Sequence, residues 1–135
     1  MKKFITILTA TLLVLSSIVF NACSQSNKTF CEIVSEIVGE QVLTPNDAPI
    51  YFTIGDDDSY CEIDTNPFDI DDYSSSLATD YIAKMNKALG LPDYLYNDML
   101  HTSYSQGKQE ETFEKFKVKY YYHPDKGLNI SYYRI

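Results

Sequence analysis

Two groups of aspartate residues have the spacing closest to that of a calcium-binding loop. They fall within residues 56–58 and 69–72, and in each group two carboxylates alternate along the chain. Calcium takes about six to eight oxygen ligands, which loops supply at alternating positions. Each series is interrupted where a third ligand is needed, by Tyr60 in the first group and by Tyr73 in the second. We therefore predict solvated acidic loops at both places and no metal site.

Histidine and serine residues do not provide a recognisable catalytic site. Zinc needs three or four ligands, but His101 and His123 are the only histidines in the chain. A serine nucleophile needs a base within hydrogen-bond reach, and no serine lies in a Gly-x-Ser-x-Gly motif. We predict a protein that is not an enzyme and that has no cofactor.

The N-terminal segment has the pattern of a secretory signal. Lys2 and Lys3 precede an apolar run over residues 4–20, and the small residue Ala22 stands before Cys23. The run is at the short end of what can span a hydrocarbon core of about 30 Å. We therefore predict that residues 1–22 are a removable signal peptide, with a permanent transmembrane helix as the alternative.

The end of this segment resembles the lipobox of bacterial lipoproteins. In Phe20-Asn21-Ala22-Cys23, the last two residues match the family pattern, whereas Phe20 stands where the family prefers leucine. The resemblance implies cleavage before Cys23 and acylation of its thiol, and two or more acyl chains anchor a protein stably. It therefore implies a lipid-anchored protein of the cell envelope that faces outside the cytoplasm. Residues 23–28 would be the lipidated cysteine and a flexible tether.

Cys31 and Cys61 remain as an even pair of thiols if Cys23 carries lipid, and disulfides persist outside the cytoplasm. Cys31 lies on the flank of the apolar stripe of a predicted helix. Strand alternation places Cys61 and Ile63 on the sheet face that this helix should cover. These observations predict a Cys31–Cys61 disulfide that closes a loop of about 30 residues.

The charge of the chain excludes some classes of partner. Without Lys2 and Lys3, the net charge changes from −8 for the whole chain to −10 for residues 23–135. Nucleic acids are bound through basic patches, so we predict no nucleic-acid partner. Anionic lipid surfaces also attract basic segments, so attachment to a membrane must come from the covalent lipid.

Hydrophobic periodicity predicts one α+β domain over residues 29–135. Thr29 and Glu32 form a capping box at the start of the first helix, and Gly90 ends the second. The predicted elements are a helix at 29–38, strands at 50–54 and 60–64, helices at 76–89 and 92–102, and strands at 115–122 and 128–133. The polar residues 104–111 are predicted to be a loop. The order α-β-β-α-α-β-β, after the signal helix, predicts a four-stranded antiparallel sheet covered on one face by about three helices.

One face of the predicted C-terminal hairpin combines basic and aromatic side chains. Its members are Lys115, Lys117, Lys119 and Tyr121 on the first strand and Tyr133 on the second. Tyrosine is enriched at the energetic centres of protein interfaces. The alternative, which is the commoner situation, is an ordinary solvated sheet face on which lysines discourage edge association. These five residues are nevertheless the best candidate interaction surface.

The C-terminal half has a second resemblance. A helix, Gly90-Leu91-Pro92, another helix and a tyrosine-rich hairpin follow one another over residues 76–135. This order resembles the helix–helix–sheet unit of β-lactamase inhibitor proteins, which small lipoproteins of the barrel-assembly machinery share. Those proteins bind other proteins, so the resemblance implies a protein-binding or assembly-accessory module with an envelope or extracellular protein as its partner. The alternative is a lipoprotein that binds a small molecule or calcium through its acidic loops.

Overall fold

The computed structural model describes residues 27–135. The predicted signal peptide, the predicted lipid attachment at Cys23 and most of the predicted tether lie outside the described residues. No helix within residues 27–135 is both long enough and apolar enough to cross a membrane.

Three helices and five strands make an α+β structure in this part of the chain. The helices are α1 (Phe30–Val38), α2 (Ser76–Ala88) and α3 (Asp93–Leu100). The strands are β1 (Phe52–Ile54), β2 (Tyr60–Asp64), β3 (Gln109–Thr112), β4 (Phe116–His123) and β5 (Gly127–Arg134). Short 3-10 turns lie at Pro45–Asp47 and Tyr104–Gln106. The strands form one sheet in the order β1-β2-β5-β4-β3, and every neighbouring pair is antiparallel.

The sheet has five strands, so the prediction of four was wrong. The additional strand is β3, which lies in the segment that was predicted to be a loop because it is polar. Its sequence Gln-Glu-Glu-Thr has no apolar alternation, and the strand is held by its backbone ladder to β4 at the sheet edge. Short, charged edge strands are common because they discourage pairing with another chain.

The start of α1 confirms the predicted capping box. The Thr29 side chain accepts from the Glu32 backbone N–H, and the Glu32 carboxylate accepts from the Thr29 backbone N–H. Two of the free N–H groups at the helix start are thereby satisfied. The helix ends at Gly39, whose φ of 73° is the left-handed conformation that glycine adopts without strain.

The hydrophobic core lies between the helices and one face of the sheet. Burial alternates along β2 and along the first half of β4, as the sequence predicted. The sheet contributes Phe52, Ile54, Cys61, Ile63, Phe116, Val118, Ile130 and Tyr132, and the helices contribute Phe30, Ile33, Val34, Ile82, Met85, Leu95 and Met99. The core covers one side of the sheet, so the side chains on the opposite side do not belong to it.

Arg134 joins the end of β5 to the start of α1. Its Nε lies 2.9 Å from Oδ2 of Asp58, and its Nη2 donates to the carbonyl of Lys28. The guanidinium carbon also lies 4.5 Å from the ring centroid of Phe30 and 5.6 Å from that of Phe116. The other oxygen of Asp58, Oδ1, accepts from the backbone N–H of Phe30. A planar guanidinium can satisfy all these partners together, whereas an ammonium group cannot.

We expect Arg134→Lys to lower the free energy of unfolding by about 1 kcal/mol, because the charge is kept but the forked hydrogen bonds and the stacking on two rings are lost. Urea unfolding would measure the change. Lys115→Arg is the matched control, since Lys115 is exposed, and it should leave stability unchanged. Equal stability of Arg134→Lys and the native chain would show that the guanidinium geometry contributes nothing.

Candidate functional site

The hydrophobic core lies on one side of the sheet, and we call the opposite side the outer face. The register aligns its side chains in three rows across β2, β5 and β4. The rows are Tyr60 with Tyr133 and Lys117, Glu62 with Ser131 and Lys119, and Asp64 with Asn129 and Tyr121. Eight of these nine side chains are half-buried and Ser131 is buried. The outer face is therefore a packed polar and aromatic layer.

Four of the five residues of the predicted interaction face lie together on the outer face. Lys117, Lys119 and Tyr121 point to it from β4, and Tyr133 points to it from the neighbouring β5. Lys115 does not belong to this strand. It lies one residue before β4, in the β3–β4 connection, where its carbonyl accepts from the backbone N–H of Ile135.

Glu110 of the edge strand β3 holds both lysines of the outer face. Its two carboxylate oxygens lie 3.4 Å from Nζ of Lys117 and 3.4 Å from Nζ of Lys119. Loss of solvation opposes ionisation of Glu110, but the two ammonium groups outweigh it and hold the pKa of this carboxyl below its ordinary value. The carboxylate thus stays charged and restrains two side chains that would otherwise be free.

Tyrosine rings divide the outer face into a basic and an acidic part. The Tyr133 ring lies 6.1 Å from that of Tyr60, and Nζ of Lys119 lies 5.3 Å from its centroid. Nζ of Lys108 stands 5.5 Å from the centroid of Tyr121. Burial raises the pKa of Tyr121, and the negative charges of Asp64, Glu62 and Asp69 raise it further. The lysines of the outer face therefore lie on the β3–β4 side, where Glu110 pairs with two of them, and the carboxylates of Glu62 and Asp64 lie on the β2 side.

Sequence reasoning missed the part of the outer face that comes from β2 and β3. Alternation along β2 already separated Glu62 and Asp64 from the core positions, so their direction was predictable. Their position beside β5 was not, because the β2–β5 pairing joins residues that are far apart in the chain. Glu110 was missed because its segment was predicted to be a loop.

Two of the three carboxylates of the first acidic group are engaged within the fold. Asp58 binds Arg134 and the backbone N–H of Phe30, and Asp57 accepts from the backbone N–H of Ser59 at 3.1 Å. Within residues 27–135, no group of three or more His, Cys, Asp or Glu side chains is placed to hold a metal ion.

The two histidines lie in separate local arrangements. Nδ1 of His101 is 2.7 Å from the carbonyl oxygen of Asn97, one turn earlier in the chain. The ring of His123 packs edge-on to that of Tyr104 at 4.9 Å, and its Nδ1 accepts from the backbone N–H of Asp125. Each imidazole ring thus has a hydrogen-bond partner within the fold, and that of His123 also has an aromatic neighbour.

Cys31 and Cys61 are both thiols in the structure. Cys61 is fully buried on the helix-covered face, where alternation placed it, and Cys31 is half-buried. Burial raises the pKa of Cys61 well above its ordinary value, with smaller contributions from the charges of Glu62, Asp58 and Cys31. The disulfide between Cys31 and Cys61 stays a prediction.

A groove of about 490 Å³ lies at the bend between α2 and α3. Its walls combine apolar side chains, such as Leu91 and Tyr96, with the polar side chains of Lys87, Asp93 and Asn97. The volume falls within the range of small-molecule sites, which are mostly apolar with a few polar groups.

No family model, curated protein or solved structure matches this chain. The resemblances to lipoproteins and to inhibitor proteins therefore stay predictions, and the function must be inferred from the outer face itself.

Proposed function

We propose that this protein is a lipid-anchored protein of the cell envelope that binds another protein through the outer face of its sheet. The pattern of residues 1–23 supports the anchor. The observation that supports the binding role is the outer face, where Lys117, Lys119, Tyr121 and Tyr133 lie together on the side of the sheet opposite the hydrophobic core.

The outer face is suited to binding because its side chains are restrained before any partner arrives. Lys119 is held between Glu110 and the ring of Tyr133, and Tyr133 is held against Tyr60. Association normally costs about 0.5 to 1.5 kcal/mol for each long side chain that becomes immobile. Restrained side chains avoid much of this cost, and tyrosine supplies a large contact area with few rotatable bonds.

The division of charge on the outer face implies a partner with charges of both signs. Lys117 and Lys119 favour acidic groups on the partner, while Glu62 and Asp64 favour basic groups beside them. Such complementarity fixes the orientation of a protein partner and speeds its association. A partner with one sign of charge, such as a nucleic acid or an anionic lipid surface, would meet repulsion on half of the face.

Cross-linking and affinity purification from native envelopes, with the lipidated protein as bait, would test this function. We expect one envelope or extracellular protein to be recovered near stoichiometry by the native chain. Lys117→Glu or Tyr121→Ala should lower its affinity at least about tenfold while the fold is retained. Lys117→Glu also breaks the ion pair with Glu110, so both this lysine charge and the position of the Glu110 carboxylate would change.

Matched controls separate the outer face from general surface effects. Lys87→Glu makes the same charge change on α2, on the helix side of the molecule, and Tyr94→Ala removes an exposed tyrosine from α3. Both controls should retain the partner. Recovery of the same partner by Lys117→Glu and by the controls would reject the outer face as the binding surface.

The second candidate function is a lipoprotein that binds a small molecule or calcium. The groove between α2 and α3 offers a place for a small ligand. A cation would have to draw the exposed carboxylates of residues 69–72 together, because no group of three or more such side chains is placed to hold one in the described residues. A ligand that binds only the folded state raises its melting temperature, and the rise grows with the logarithm of the ligand concentration once this exceeds the Kd. A calcium-dependent rise, without recovery of any protein partner, would favour this second function.

A further inference from the structure

Large apolar side chains are exposed in the segment that connects β2 to α2 and in the first turn of α2. Phe68 is 61% exposed, Ile70 51% and Tyr73 39% in the segment, and Leu77 is 47% exposed in α2. Single exposed apolar residues are common, but four of them within ten positions of the chain indicate an interaction surface. We call residues 66–77 the Asn66 loop, after the buried residue that holds it.

Asn66 fixes the conformation of this loop. Its side chain is fully buried, and its Nδ2 donates to the carbonyls of Ile70 at 2.8 Å and Asp125 at 3.0 Å. Its Oδ1 accepts from the backbone N–H of Ile70 at 3.1 Å. A buried amide with all these partners specifies one arrangement, because any other would leave polar groups unsatisfied.

The loop is also attached to the sheet at both of its ends. The backbone N–H of Ser75 donates to the carbonyl of Thr65, and the hydroxyl of Thr65 accepts from the backbone N–H of Leu128. The backbone N–H of Asp72 donates to the carbonyl of Pro124 in the β4–β5 turn. The exposed apolar side chains are therefore carried by an ordered segment, which lowers the entropy cost of binding to them.

Acidic side chains are interleaved with the apolar ones. Asp69 and Asp71 stand on either side of Ile70, and Asp72 precedes Tyr73. All three aspartates are exposed. A surface of this composition repels anionic lipid and attracts basic groups. Its complement is a protein segment that carries basic side chains beside apolar ones.

We propose that the Asn66 loop is a second docking surface, which binds a segment of another protein with basic residues next to apolar residues. Phe68 and Ile70 would be buried against the apolar residues of that segment, and Asp69 and Asp71 would pair with its basic residues. The surface uses none of the residues named for the outer face, although the charge of Asp69 acts on Tyr121. Phe68→Ser/Ile70→Ser keeps that charge, so this variant tests the loop separately from the outer face.

Selection of short random peptides on the purified full-length chain would test this proposal. We expect the enriched peptides to combine lysine or arginine with leucine, phenylalanine or similar residues. Their affinity should fall at least about tenfold for Phe68→Ser/Ile70→Ser and should weaken as salt is added. Asp69→Asn/Asp71→Asn should reduce both the affinity and its dependence on salt.

The control is Leu43→Ser/Ile50→Ser, which removes two apolar side chains of similar exposure outside the loop. This control should bind the selected peptides as tightly as the native chain does. The loop variants and the control should all have the melting temperature of the native chain. Selected peptides that bind the loop variants and the native chain equally, or no enrichment at all, would overturn the proposal. Sedimentation that shows a dimer, lost in Phe68→Ser/Ile70→Ser, would instead assign the loop to self-association.

Discussion

Reduction of a disulfide between Cys31 and Cys61 is expected to lower the free energy of unfolding by about 3 to 4 kcal/mol, because the bridge restricts the unfolded chain over a loop of about 30 residues. The structure brings the two ends of this loop together independently of the bridge. Asp58, close before Cys61, accepts from the backbone N–H of Phe30, which is next to Cys31. The negative charge of Asp58 also contributes to the raised pKa of both thiols.

Both thiols are expected to react slowly once the chain is folded. Burial is the first cause of the raised pKa of each, so at neutral pH both are protonated. Thiol–disulfide exchange needs a thiolate as the attacking group. Oxidation transfers two electrons and two protons from the thiol pair to a disulfide-bearing oxidant, which leaves as a dithiol. We expect this step to be fastest before Cys61 is buried.

Urea unfolding of the oxidised and the reduced protein would measure the contribution of the bridge. The oxidised protein should be lighter by two hydrogen atoms in its intact mass and should unfold at higher urea concentration. Cys31→Ser is the control, because its stability should not respond to a reductant. A native chain exported to an oxidising compartment that keeps two free thiols would contradict the prediction.

Local sequence patterns were sufficient to predict the elements that have a clear capping motif or a strong hydrophobic periodicity. The capping box of α1, the alternation of β2 and the β4–β5 hairpin all lie where the sequence predicted them. The strand β3 was missed because it is stabilised by the ladder to β4 and not by its own side chains. Because the four residues of this edge strand are all polar, no local sequence pattern distinguishes it from a loop.

The candidate site was predictable only along β4 and β5. Alternation in one hairpin placed Lys117, Lys119 and Tyr133 together, because a short turn sets their register. The third strand of the outer face depends on a contact that no local pattern encodes. The hydroxyl of Ser131 donates to the carboxylate of Glu62 at 3.1 Å, across 69 positions of the chain. The sequence therefore indicated the basic part of the face and missed the acidic part beside it.

A buried hydrogen bond joins the centre of the sheet to α2. The hydroxyl of Tyr132 donates to Oδ1 of Asn86 at 2.7 Å, and Nδ2 of Asn86 contacts Sδ of Met99 at 3.5 Å. Tyr132 is fully buried, and Asn86 is 4% exposed. Among residues 27–135, no buried side-chain nitrogen or oxygen lacks a partner. The stability of the fold thus depends on keeping both members of this pair.

Tyr132→Phe is expected to lower the free energy of unfolding by about 1 to 3 kcal/mol, because it leaves the buried Oδ1 of Asn86 without a donor. Asn86→Leu should cost about as much, since it leaves the hydroxyl of Tyr132 without an acceptor. The double variant should be less destabilised than the sum of the two, because both polar groups are then absent. Tyr133→Phe, on the outer face, is the control and should change stability little. Strict additivity of the single changes would show that the hydrogen bond contributes no coupling.

The same residue should make stability depend on pH in the alkaline range. Burial raises the pKa of Tyr132 well above its ordinary value. In the unfolded chain the hydroxyl ionises near pH 10, whereas in the folded protein it stays protonated. The contribution of Tyr132 is therefore complete below about pH 10 and decreases as the pH rises further, by up to about 1.4 kcal/mol per pH unit. Tyr132→Phe should flatten this decline in urea unfolding measured across the range. An identical decline in the native chain and in Tyr132→Phe would mean that other groups cause it.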